Sequence, residues 1–139
     1  IKLKMAAEIE IMLRLVLAAI AGGIIGFERE KVHRPAGMRT HMLVCFGAAL
    51  FTIVSTTAFT DLDPLRVVAG IVTGIGFLGA GTIFRSKDHV TGLTTAASLW
   101  AVAALGISIA AGLYLISFVS VVLILLILEL NKIPYFREL

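Results

Sequence analysis

Charge is what this sequence has least of. Of its 139 residues only 15% are Asp, Glu, Lys or Arg, where a soluble domain carries roughly a quarter. So few charged groups cannot cover a water-facing surface, which excludes a soluble enzyme and, equally, a polar disordered segment. Cysteine is almost absent: Cys45 stands alone inside an apolar run, so no disulfide can staple a secreted scaffold. His33, His41 and His89 lack zinc-type spacing. No Ser-His-Asp, Cys-His or phosphate-loop arrangement is present, so the sequence points to no catalysis and calls for no cofactor. What it has in quantity is apolar residues, 59% of the chain, with a mean hydropathy of +1.02. That composition specifies an integral membrane protein. The net charge of +3 then matters for where the charges lie, and it gives no reason to expect a nucleic acid partner.

A hydrocarbon core of ~30 Å takes about 20 helical residues. Five apolar stretches meet or approach that length: Ile11–Phe27, Met42–Phe59, Val67–Phe84, Thr94–Ala111 and Leu113–Leu128. The expected fold is all-α, a polytopic bundle of five transmembrane helices forming a single domain over residues 1–139. The last two spans are joined so tightly that they read as a helical hairpin. The first leads into Phe27-Glu28-Arg29-Glu30 rather than a small-residue cleavage site, unlike a signal peptide. With the N-terminus outside, Arg29, Lys31, Arg34, Arg39, Arg85, Lys87, Lys132 and Arg137 fall inside, and Lys2, Lys4 and Arg66 outside. Eight against three favours N-out, C-in. Asp63-Pro64 is a helix start signal, while Pro35-Ala36-Gly37 and Gly92 mark breaks between spans.

Small residues let helices approach closely in lipid, and the third span is richest in them. Gly70, Gly74 and Gly81 fall within about 40° of one another on a helical wheel, with Gly76 and Gly79 on the far side. Glycine on both faces predicts a helix gripped from two sides, hence a central third span. Gly74-Ile75-Gly76-Phe77-Leu78-Gly79 formally matches a dinucleotide-binding pattern, but it lies inside a span with no preceding strand, so helix packing is the reading. In the first span Arg14, Ala18, Ala21, Ile25 and Glu28 share a sector of roughly 80° that Gly22 borders. The fifth span has neither glycine nor charge and is expected at the lipid-facing periphery.

Ionisable groups near or within spans are the candidates for function. Glu28-Arg29-Glu30 closes the first span and Arg39-Thr40-His41 opens the second, so a hairpin brings Glu28, Arg29, Arg39 and Thr40 into one inner-boundary cluster. A shielded Glu28–Arg39 pair is the expected contact. Arg14 is expected to snorkel outward or to pair with Glu10. Thr94 and Ser98, with Ala101, Leu105 and Ser108, make a modest polar face on the fourth span, explained by capping at Thr94 and interhelical bonding or by a narrow hydrated path. Asp61 and Asp63 share a short outer loop and are the weak candidates for a divalent cation. Helix capping and solvated loop charge explain them more simply.

Three segments together resemble the MgtC/SapB membrane domain. They are Gly26-Phe27-Glu28-Arg29-Glu30 with Arg34-Pro35-Ala36-Gly37-Met38-Arg39-Thr40-His41, then Val72–Gly81, then Val90–Trp100. Their order and spacing fit over nearly the whole chain. The resemblance implies a five-helix, multi-pass protein of the bacterial inner membrane in a non-enzymatic family. The family's best-known member supports growth in low Mg²⁺ and survival within macrophages, and is described as restraining the F-type ATP synthase. Two departures weaken the expectation of that virulence role and suggest either the SapB-like branch or a truncated chain. The chain stops at Leu139 without that member's soluble C-terminal domain, and Thr94 stands where the virulence pattern has Asn. The functional expectation is a membrane regulator that binds another membrane protein, or itself, in magnesium-limitation or envelope-stress adaptation. The alternative is an oligomeric channel or transporter for Mg²⁺ or another small ion.

Overall fold

The computed structural model describes residues 2–59, 63–87 and 89–130, with side chains from Lys4 onward. The chain runs through α1 (Lys2–Lys31), α2 (Met38–Thr57), α3 (Pro64–Ala80), a small hairpin of β1 (Phe84–Arg85) and β2 (Val90–Thr91), α4 (Leu93–Ala110) and α5 (Tyr114–Glu129). α1, α2 and α4 are each long and apolar enough to cross a membrane, whereas α3 and α5 are apolar but shorter, at 17 and 16 residues.

The helix ends follow from local chemistry. Asp63 Oδ1 accepts from the Leu65 amide at 2.9 Å and Pro64 occupies the first turn, which settles Asp63 as a cap. Asp61 lies outside the described residues. α1 stops when His33 turns left-handed (φ 54°), so that the Arg34 amide reaches the Arg29 carbonyl and the His33 amide that of Glu30. The same motif ends α4: Gly112 (φ 78°) lets the Leu113 amide reach the Ser108 carbonyl, giving the tight turn into α5. α3 ends at Ala80, four residues short of the apolar run that stops at Phe84. Here Thr82 Oγ1 donates to the Gly79 carbonyl at 2.8 Å, and the chain leaves the helix to pair Phe84 with Thr91 antiparallel. Gly92 (φ 88°) closes that excursion so near the Thr82 carbonyl that no side chain fits there.

The middle of the bundle is not the third span. α4 touches every other helix, and α1, α2 and α4 enclose the main core of Ala18, Ile25, Cys45, Ala49, Val102 and Leu105. The small face read on the first span is the buried face of α1, with Ala18, Ala21 and Ile25 all inside. The glycines that bring helices together are Gly22, Gly26 and Gly106. A methyl group on Gly22 would sit 2.5 Å from the His41 carbonyl oxygen, and one on Gly26 would sit 2.6 Å from Met38 Cα. One on Gly106 would collide with the Cys45 carbonyl. Each obstacle is main chain, which cannot step aside.

α3 leans on α4 and buries only Ile75 and Gly79, the latter against Ala96. Gly70, Gly74 and Gly76 meet nothing within 4 Å, so the expectation of a helix gripped on two faces does not hold within one copy of the chain. A glycine tally counts possible contacts, not the neighbours available to make them. Between α2 and α3 the bundle stays open as a groove of about 660 Å³, walled by Leu43, Gly47 and Phe51 on one side and by Val67, Gly70, Gly74 and Leu78 on the other. α5 is peripheral as expected, with only Ser117 and Leu128 buried.

Candidate functional site

Polar groups gather where α1 ends and α2 and α4 begin. The close crossing at Gly26 carries the last turn of α1 against the first turns of α2 and buries what that turn presents. Glu28 is 9% exposed and Arg29 3% exposed. Side chains at adjacent helix positions do not naturally face each other, yet Arg29 folds back onto its neighbour in a two-armed pair. Nη2 donates to Glu28 Oε1 at 2.8 Å and Nε donates to Oε2. With two charges so little exposed to water, a mutual pair is the arrangement that leaves neither uncompensated.

Glu28 therefore finds its cation one residue along its own helix, and the expected Glu28–Arg39 contact is absent. Arg39 and Thr40 are exposed, Thr40 at the mouth of the α2–α3 groove. The link between the two helices is made instead by Glu30, whose Oε2 accepts from the Met38 amide at 2.8 Å and so serves an otherwise free donor at the start of α2. Gly37 leaves room for that carboxylate, since a methyl group there would lie 2.7 Å from Glu30 Oε2.

At the centre of the cluster is His41, with no exposed surface. Its Nδ1 lies 2.9 Å from the Gly37 carbonyl and its Nε2 lies 3.0 Å from Ser98 Oγ on α4. Ser98 Oγ in turn sits 2.8 Å from the Thr95 carbonyl. Thr95 and Ser98 are buried, whereas Thr94 is exposed on the first turn of α4, where the cap is Gly92 and no side chain caps the helix. The polar face of the fourth span therefore runs through Thr95 and Ser98. A wheel places Thr94 and Thr95 on either side of Ser98, about 40° and 60° away, and only packing decides between them. The His41–Ser98 bond joins residues 57 apart and carries no signature in local spacing.

A second polar station lies at the opposite end. Arg14 pairs with Glu10, as one sequence reading expects, and also donates from Nε to Tyr114 Oη at 3.1 Å and from Nη1 to the Ala110 carbonyl at 2.6 Å. It thereby clasps α1 to the α4–α5 turn and satisfies a carbonyl at a helix C-terminus, where positive charge is favoured. Ser108 and Ser117 share a 2.7 Å hydrogen bond between α4 and α5. Among the described residues, no three His, Cys, Asp or Glu side chains converge as a metal site would require.

The family profile of MgtC matches residues 15–133, a stretch that holds both polar stations except for Glu10 and Arg14. The chain belongs to the MgtC family. Among its relatives, YhiD of Escherichia coli (strain K12), named as a candidate magnesium transporter, is 47% identical over 86% of this chain and 60% of its own length. MgtC of Brucella abortus (strain 2308) is 54% identical over 69% of this chain and 40% of its own. SapB of Bacillus subtilis (strain 168) is 40% identical over 86% of this chain and 56% of its own. The chain thus spans 40 to 60% of the length of the curated relatives it matches. No solved structure matches it.

Proposed function

We propose that this MgtC-family chain is a non-enzymatic regulator of the bacterial inner membrane that works by lateral contact with another membrane protein, or with a second copy of itself, in magnesium-limitation or envelope-stress adaptation. The observation that carries the proposal is the α2–α3 groove, where a helix bears Gly70 and Gly74 one turn apart on a wall that no other part of the chain covers among the described residues. Such a surface suits backbone-to-backbone helix contact in lipid. In this reading all five helices cross the bilayer, N-out and C-in, with α3 and α5 spanning ~24–26 Å each. The basic residues Lys31, Arg34, Arg39, Arg85 and Lys87 then share the inner side.

Photocrosslinkers at Val67 and Leu78, in the full chain in native membranes, should trap a discrete partner, with the F-type ATP synthase implied by the family resemblance as the first to look for. Recovery of only uncrosslinked chain at both positions sinks the proposal. One-sided labelling of cysteines placed at Glu8 and Lys87 checks the topology, since both modified from the same side would contradict it.

A second reading, an oligomeric transporter of Mg²⁺ or another small ion, is favoured by the name of the Escherichia coli relative and by an apolar groove that a second copy could close into a conduit. Reconstituted protein should then pass cations across liposomes, with Arg39→Ala changing the rate. Flat traces from demonstrably folded protein would remove it.

A further inference from the structure

We infer that His41 is a proton-binding site whose charge state sets how firmly α4 is held against the α1–α2 hairpin. The argument is a count of hydrogens. The Gly37 carbonyl can only accept, so Nδ1 carries a hydrogen. The Thr95 carbonyl can only accept, and Ser98 has one hydroxyl hydrogen to place between that carbonyl and His41 Nε2. With a neutral ring, one of these two short contacts has no hydrogen in it. A proton taken from water onto Nε2 completes the set: Nε2 donates to Ser98 Oγ, Ser98 donates to Thr95, and Nδ1 donates to Gly37. No covalent bond between heavy atoms forms or breaks. The completed contact is charge-assisted and ties α2 to α4 more strongly than the neutral one.

Burial opposes a charge on the ring most strongly, the Gly37 carbonyl favours it, and the charged neighbours divide. From α1, the Glu28 carboxylate favours a positive ring and the Arg29 guanidinium disfavours it, both within electrostatic reach. From α2, Arg39 is exposed, and α4 carries no ionisable residue. α3 has only Arg66, near its far end. Glu28 also lines a groove of about 240 Å³ between α1 and α5, together with Lys31 and Glu129. One member of the buried cluster therefore faces the surface, where protons are exchanged.

The test uses the full chain in lipid nanodiscs with ¹⁵N-labelled histidine, the exposed His33 and His89 serving as controls. As the pH is lowered from 8, His41 should pass from one protonated ring nitrogen to two. Spin labels at Leu43→Cys on α2 and Leu93→Cys on α4 should report a separation that narrows over the same range. Ser98→Ala should lose that response while Ser98→Thr, which keeps a hydroxyl, retains it. A His41 ring that holds one protonated nitrogen throughout overturns the inference. So does a separation indifferent to pH in the labelled parent, or one that still responds with Ala at position 98.

Discussion

The glycines of α1 and α4 and those of α3 look alike in sequence and lead opposite lives. Gly22, Gly26 and Gly106 stand where two main chains nearly touch, and each has a backbone atom of α2 in the place a side chain would need. Gly70, Gly74 and Gly76 face open space. Glycine weakens a helix by roughly 1 kcal/mol relative to alanine, so each must be offset by something gained from its absent side chain. In α1 and α4 the gain is inside the chain. In α3 it is available only to something outside.

The largest expected effect belongs to the closely packed region. Glu28→Gln leaves the Arg29 guanidinium buried without its counter-charge and should cost about 3–5 kcal/mol in detergent unfolding. Adding Arg29→Met should recover part of that loss; full additivity would mean that the two charges act separately. Next comes Gly106→Val, expected to lose about 1–3 kcal/mol because the Cys45 carbonyl cannot retreat. A Gly106→Val chain as stable as its parent would end the distinction between the two sets of glycines. Gly70→Ala and Gly74→Ala run the other way: each should raise the stability of the isolated chain by up to ~1 kcal/mol while reducing crosslinking from Val67. Smallest is Ser117→Ala, which removes the bond to Ser108 and should cost about 0.6 kcal/mol, close to the average for such bonds between helices in lipid.

How much of this was legible depended on whether the information was local. The buried face of α1 can be read from Ala18, Ala21, Ile25 and Glu28 because a period of 3.6 fixes it before any neighbour is known. The cap at Asp63, the pairing of Arg14 with Glu10 and the exposed surface of α5 follow equally from short-range rules. Three features did not, and each depends on something distant. The place of α3 in the bundle rests on which helices α4 contacts. The stop at Ala80 rests on a hairpin two residues wide on each strand, too short to leave an alternating pattern. The choice of Arg29 over Arg39 as the partner of Glu28 depends on how far the crossing at Gly26 buries the last turn of α1. The sequence places His41 at the start of the second span, but its bond to Ser98 becomes visible only once α2 and α4 lie side by side.

Cys45 offers a use that follows from where it sits. The residue is fully buried, with its Cβ against Gly22 and its carbonyl against Gly106. It is shut in by the very joints that hold the three main helices together, so an alkylating reagent can reach it only when one of those joints parts. The rate at which maleimide consumes this lone thiol is thus a native gauge of how often the bundle breathes.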